Sequence, residues 1–174
     1  MTNLANGNRK LYLLDTNIFI TAYDHYYAFD ICPGFWECLE HHCRDGQVMS
    51  IDRVREELKK PLELVSWARK VPGGMFLPTL EEATVKIYNN IMSWVEENEK
   101  FTDAAKRKFA TGADGWLVAY AKCYEAVVVT HEAYRPKAKS RVMIPNVCRQ
   151  FEVEYQTTYE MLRELEVQFE WRGN

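Results

Sequence analysis

Two acidic residues, Asp15 and Glu132, stand close behind short apolar segments. Asp15 ends the apolar run 11–14, and Glu132 closely follows the β-branched run 126–129. Runs this short and apolar are typical of inner strands of a parallel sheet, whose carboxyl ends border the crevice where ligands bind. Both acids are therefore expected at one sheet edge. For Asp15 the alternative is a helix cap, since Asp is a favoured N-cap residue.

Two further acids, Glu57 and Asp114, lie on predicted helices. Asp114 opens the apolar stretch 114–121, where it is either the cap of that helix or a ligand. Glu57 lies beside Leu58 on a helical face and points partly inward, which is unfavourable for a charge without a partner. The alternative for Glu57 is a partly exposed side chain paired with a neighbouring basic residue.

Together these four acids form a set of candidate ligands that offers only oxygen atoms. Carboxylates gathered in a crevice repel each other and raise each other's pKa values unless a divalent cation lies among them. Because the set contains no His or Cys, Mg²⁺ or Mn²⁺ is favoured over zinc. Such ions can lower the pKa of bound water and stabilise the oxyanions of an in-line displacement at phosphorus. The set fits metal-dependent phosphodiester hydrolysis best.

The loop 134–141 is the most basic part of the chain near these acids. It contains four basic residues and no acid, and it begins at the sheet edge where the acids are expected. A net charge of −3 argues against binding nucleic acid by bulk charge alone, so any such contact has to be local. The loop is either a solvated surface or a set of phosphate contacts. Its basic residues are Arg135, Lys137, Lys139 and Arg141.

Cysteine and histidine residues give no recognisable metal site. The five cysteines are scattered without a CxxC pair, and no apolar signal segment opens the sequence, which predicts a reducing, cytoplasmic compartment. His41, His42 and Cys43 are adjacent, so on a helix their side chains point in different directions. A zinc site is not expected there, and a solvated helix end is the favoured interpretation.

The elements that position these residues alternate between strands and helices, as in an α/β protein. A chain of 174 residues, 47% hydrophobic and 27% charged, is expected to form a single domain over residues 1–174, with a loose leader over 1–9 and a helical insert over 62–110. Asp52 is predicted to cap one helix, and Thr79 with Glu82 to form a capping box for another. Strands are predicted over 10–15, 47–51, 126–130 and 142–148, and helices over 16–27, 34–44, 52–60, 62–70, 79–99, from 102 onward, 114–124 and 158–169.

Four segments of the chain resemble motifs of the PIN-domain nucleases. Leu13-Leu14-Asp15-Thr16-Asn17 is similar to the opening motif, and residues 50–58 are similar to the segment with the second acid. Residues 113–121 resemble the third motif and residues 129–132 the fourth. Four such motifs in this order, covering nearly the whole chain, are a rather specific signal. The insert and residues 144–148 differ from the compact toxins of this family and resemble a poorly characterised PIN-like subgroup.

This resemblance implies a three-layer α/β/α fold with a mostly parallel sheet in the order 3-2-1-4-5. It also implies an endoribonuclease that uses Mg²⁺ or Mn²⁺, as in toxins of toxin–antitoxin pairs. The implied partners are RNA, an antitoxin protein and a second copy of the chain, and no membrane association is implied. At the position of Glu132 the family more often has Asp. Because the glutamate side chain is longer, Glu132 would act through a water molecule. The implied metal-binding acids are Asp15, Glu57 and Asp114, with Glu132 as a further catalytic acid and Thr16, Asn17 and Thr130 as supporting residues.

Two functions of other classes stay open beside the nuclease. The first is a PIN-like module that binds RNA or protein without cleaving it, against which the presence of all four acids argues. The second is a metal-dependent phosphatase, which would act on soluble phosphate esters and be indifferent to the basic loop.

Overall fold

The computed structural model, which describes residues 9–71, 73–171 and 173, has helices on both faces of a five-stranded parallel sheet. The strand order is β3-β2-β1-β4-β5, which confirms the three-layer α/β/α fold and the order 3-2-1-4-5. The predicted leader lies outside the described residues except for Arg9. The strands are β1 (Tyr12–Leu14), β2 (Val48–Ile51), β3 (Phe76–Leu77), β4 (Val127–Val129) and β5 (Tyr155–Gln156).

The central strand β1 is bordered by β2 and β4. Tyr12 lies opposite Val48 on one side and Val127 on the other. All residues of β1 and β4 are buried, which is why their sequences are apolar without alternation. The carboxyl ends of these two strands therefore lie side by side and place the residues that follow them at one edge.

Helices cover both faces of the sheet. Among them, α7 is buried over residues 117–121 and packs most extensively against α5. None of the helices in the described ranges combines the length and apolar character needed to cross a membrane. The helices are α1 (Thr16–Thr21), which continues into a π-helical turn (Ala22–Tyr26), α2 (Pro33–Arg44), α3 (Asp52–Glu57), α4 (Leu62–Lys70), α5 (Glu82–Glu97), α6 (Asp103–Thr111), α7 (Asp114–Cys123), α8 (Ile144–Gln150) and α9 (Thr158–Glu164).

The strand predicted over residues 142–148 is wrong. Residues 144–150 form α8, and the edge strand next to β4 is β5. Pro145 lies in the first turn of α8, where its missing N–H is tolerated. The segment has an apolar sequence because Ile144, Val147 and Cys148 are all buried. The prediction failed because a short apolar run does not distinguish a buried helix from a strand.

The two predicted helix caps are also wrong. Asp52 is the first residue of α3 rather than its N-cap residue. Helix α5 begins at Glu82, so its N-cap residue is Glu81 rather than Thr79, and the Glu81 side chain makes no cap hydrogen bond. Instead, Thr79 donates from its hydroxyl to Asp52 Oδ1 at 2.8 Å and from its amide to Asp52 Oδ2 at 3.2 Å. These two bonds join the start of α3 to the segment that follows β3.

Candidate metal and nucleic-acid site

Asp15 lies directly after β1 and is 1% exposed. Its amide donates to the Val129 carbonyl at 3.0 Å, and its carboxylate accepts from the Thr130 hydroxyl at 3.0 Å. Although Asp15 occupies the N-cap position of α1, its side chain makes no cap hydrogen bond. Burial, followed by the charge of Glu132, raises the pKa of Asp15 from 3.8 to about 6, against the opposing effect of the Thr130 hydroxyl.

Glu57 is the last residue of α3 and connects three parts of the site. Its Oε2 accepts from the Thr16 hydroxyl at 2.5 Å, and its Oε1 accepts from the Ala113 amide at 2.8 Å. Ala113 is the N-cap residue of α7, so this glutamate joins the beginnings of α1 and α7. Its partners are therefore not the neighbouring basic residues. The hydroxyl of Thr16, one of the predicted supporting residues, thus donates to Glu57.

Asp114 is the first residue of α7 and is half-buried. Within the described part of the chain, no donor is hydrogen-bonded to its carboxylate. Burial, together with the charges of Asp15, Glu132 and Glu57, raises the pKa of Asp114 from 3.8 to about 8, and the Arg141 guanidinium acts in the opposite direction. A carboxylate so placed favours a proton or another cation as its partner.

Glu132 follows β4 and has a side chain that is 6% exposed. Its Oε2 accepts from the Ile144 amide at 2.7 Å, and its Oε1 is paired with the Arg141 guanidinium. The carboxylate is thus occupied by donors of the protein itself. In this position Glu132 holds Arg141 beside the other acids and contributes negative charge to Asp15 and Asp114.

Asp15, Glu57 and Asp114 line one cleft of about 190 Å³, together with Thr16 and Asn17. In residues 9–71, 73–171 and 173, no three of the four acids have carboxylate oxygens that all lie within 4.8 Å of one another. The carboxylates in this cleft are therefore spaced more widely than in a closed ligand shell, as expected from their mutual repulsion. The donor set is entirely oxygen, which fits a hard divalent cation such as Mg²⁺ or Mn²⁺. Lys108 also lines this cleft, although it was not among the predicted site residues.

A second cleft, of about 880 Å³, adjoins the first and shares Asn17 and Arg141 with it. Arg135 and Lys137 also line it, so three of the four predicted phosphate contacts lie at its wall. Lys139 is not among the described residues that line this cleft. Its carbonyl accepts from the Thr102 amide at 3.0 Å, which fixes the loop to the start of α6.

His41, His42 and Asp45 form a different cluster at the C-terminal end of α2. They are the one group of three metal-ligating residues in the described ranges whose ligand atoms all lie within 4.8 Å of one another. Cys43, which the sequence placed beside these histidines, is buried instead. Because β2 begins at Val48, this cluster lies at the amino ends of the strands, opposite the four acids.

Comparison with known proteins supports the fold and identifies a protein family to which the chain belongs. The structure is similar to the crystal structure of VapBC2 from Rickettsia felis bound to a DNA fragment from their promoter, with a TM-score of 0.51 and 14% sequence identity over 84% of this chain and 98% of that chain. At this identity the likeness concerns the fold alone. No match was found among curated proteins. Residues 12–169 match the family model described as "Domain of unknown function (DUF4411)", and the chain belongs to that family.

Proposed function

We propose that this protein is a metal-dependent endoribonuclease of a toxin-like PIN subgroup, and that it is the toxin of a toxin–antitoxin pair. The observation that carries the proposal is the meeting of Asp15, Glu57 and Asp114 in one cleft, although the first and the last are 99 positions apart in the sequence. Two of these acids, Asp15 and Asp114, have raised pKa values, because they are buried and because neighbouring carboxylates add negative charge.

In this proposal Asp15, Glu57 and Asp114 hold Mg²⁺ or Mn²⁺. When bound, such an ion supplies a water of lowered pKa and stabilises the oxyanions of an in-line displacement at phosphorus. Hydrogen bonds from Thr130 to Asp15 and from Thr16 to Glu57 orient two of the carboxylates.

The basic wall of the larger cleft supports RNA as the substrate. Arg135, Lys137 and Arg141 line it directly beside the acidic cleft, so a phosphate backbone passing through would reach the acids. Such local positive charge is what a chain of net charge −3 needs to bind a polyanion. An antitoxin protein, homodimer formation and a cytoplasmic location belong to the proposal on the strength of the PIN resemblance, the shared fold and five free cysteines.

The test is cleavage of a mixed panel of structured and single-stranded RNAs by the purified chain in Mg²⁺, Mn²⁺ or chelator. Lys137→Glu should reduce cleavage by about tenfold or more, because it places an acid in the cleft wall. Lys139→Glu makes the same change of charge outside the lining and is the matched control. Absence of cleavage in every metal would contradict the proposal.

One observation favours a second candidate, a PIN-like module that binds RNA or protein without cleaving it. No three of the four carboxylates, all in described residues, come within 4.8 Å of one another, so the group is wider than a closed ligand shell. RNA binding that is unaffected by metal, without cleavage, would favour this module. Hydrolysis of a soluble phosphate ester, equal in wild type and Lys137→Glu, would instead indicate a phosphatase.

A further inference from the structure

Tyr134 exposes a large aromatic ring in the basic cleft. The residue is 40% exposed and lies among the residues that line the 880 Å³ cleft. It adjoins Arg135, the first of the basic residues there, and is close in sequence to Glu132. An aromatic ring beside cations is available to a ligand that carries both phosphate and an apolar face.

Arg149 fixes the Tyr134 ring from one side. The guanidinium carbon of Arg149 lies 3.8 Å from the ring centroid, and its Nε donates to the Tyr155 hydroxyl at 3.3 Å. The Arg149 side chain is thus held between two tyrosines. With one face of Tyr134 covered in this way, its exposed surface borders the cleft in a defined orientation.

The backbone beside Tyr134 is fixed as well. Asn146 is 7% exposed, and its side chain accepts from the Arg135 amide at 3.0 Å and donates to the Arg135 carbonyl at 2.8 Å. The Ala138 amide donates to the same carbonyl at 3.0 Å. The ring is therefore carried by a loop whose conformation is set before a ligand arrives, which lowers the entropic cost of binding.

The charge and size of the cleft fit a nucleotide. Its lining includes three cations, and Glu132, the one acid among its described lining residues, is already paired with Arg141. A volume of about 880 Å³ lies in the upper part of the range of about 300–1,000 Å³ typical of small-molecule sites. A volume of this size is sufficient for a base, its sugar and its phosphate.

From these observations we infer that Tyr134 is the stacking platform for an unpaired base next to the cleavage site, with Arg149 as its positioning residue. The inference rests on the proposed function and names a substrate-binding residue of that site. Stacking on an aromatic ring requires an accessible base face, which a continuous duplex does not offer. It is tolerant of sequence, because every base has such a face.

The test is fluorescence anisotropy of a labelled single-stranded RNA of ten nucleotides, with a duplex of the same sequence for comparison, both in chelator to prevent cleavage. Tyr134→Ala should weaken single-strand binding by at least about fivefold, since one stacked base contributes about 1–3 kcal/mol. Tyr134→Phe keeps the ring and should stay within about twofold of wild type. Tyr124→Ala is the matched control, because Tyr124 is 42% exposed at the far end of α7 and should leave binding unchanged.

Arg149 is tested by its dependence on Tyr134. Arg149→Ala should weaken single-strand binding in wild type but have no further effect in the Tyr134→Ala background, because its contribution acts through the ring. Equal losses in both backgrounds would overturn the positioning role and assign Arg149 a phosphate contact of its own.

Failure of the inference is distinguishable from failure of the proposed function. If wild type cleaves RNA but Tyr134→Ala binds as tightly as wild type, or the duplex binds as tightly as the single strand, the inference alone is overturned. If binding depends on Tyr134 but no metal gives cleavage, the nuclease proposal fails and the base site stands. Absence of both RNA binding and RNA cleavage by wild type overturns both.

Discussion

Among the individual residues, Asp114 is the acid whose surroundings oppose ionisation most strongly. Its pKa is raised to about 8, so the Asp114→Asn substitution removes a charge that the folded chain tolerates poorly. We expect the variant to fold and to melt at least as high as wild type at pH 8 without metal. Cleavage should fall by at least about a hundredfold, since a bound metal contributes several kcal/mol of stabilisation.

The measurements for this variant are RNA cleavage and thermal melting followed by circular dichroism. A matched substitution at an acid outside the site, Glu152→Gln, controls for the loss of one negative charge at an exposed position. Loss of folding in Asp114→Asn would show instead that this carboxylate supports the start of α7.

The Thr130 hydroxyl opposes the rise in the pKa of Asp15 through one hydrogen bond. Thr130→Val removes the donor while keeping the side-chain shape, so the pKa of Asp15 should rise further. In chelator, the pKa of the Asp15 carboxyl, followed by NMR titration, should then rise by about one to two units, since a hydrogen bond to a charged group contributes about 1.5–3 kcal/mol. Thr130→Ser keeps the hydroxyl and should retain the wild-type pKa. An unchanged pKa of Asp15 in the valine variant would exclude this role.

Helix α7 carries Asp114 and depends on close packing at its first turn. A Cβ added at Gly115 would lie 3.1 Å from ring carbons of both Phe109 and Tyr88, and the Tyr88 ring is itself stacked on Trp116. Gly115→Ala should therefore lower the free energy of unfolding by about 1–3 kcal/mol, as overpacking does. Urea denaturation measures this change. Gly73→Ala, where an added Cβ meets no atom within 4 Å, is the control, and equal stability of the two variants would contradict the packing argument.

At the scale of elements, the sequence predicted the parts whose patterns are local. Strands β1, β2 and β4 are apolar runs ended by polar residues, and α2 begins at Pro33, one residue before its predicted start. It did not predict β3, which has two residues and no pattern of its own and owes its place to pairing with β2. The partners of Asp52 and Thr16 also escaped prediction, since Thr79 and Glu57 reach them only through the tertiary fold.

For the whole molecule, the raised pKa values of Asp15 and Asp114 predict how stability depends on pH. Both groups bind protons more tightly in the folded chain than in the unfolded chain, whose ordinary value is 3.8. The free energy of unfolding contributed by these groups should therefore decrease as the pH rises from about 4 to about 8 in chelator. Divalent cation should restore stability at the upper end of this range.

Urea denaturation of wild type and the Asp15→Asn, Asp114→Asn double variant from pH 4 to 8 tests this dependence. Burial lowers the pKa of His131, so the contribution of His131 to the free energy of unfolding increases as the pH rises. This contribution is present in both proteins. The difference between the two curves isolates the two acids. A difference that stays constant with pH would contradict the assignment.

The central claim is that the acids at the carboxyl edge of the sheet form a site for a divalent cation. Its most direct test is calorimetric titration of Mn²⁺ at pH 7 in two buffers of different ionisation enthalpy. All proteins carry His42→Gln, so that the cluster with His41 and Asp45 does not contribute. Binding should release protons, because Asp114 with a pKa of about 8 is largely protonated at pH 7. Affinity should fall by at least about tenfold in Asp15→Asn and in Asp114→Asn. Failure of the His42→Gln protein to bind Mn²⁺, or equal affinity when either acid is replaced, would contradict the claim.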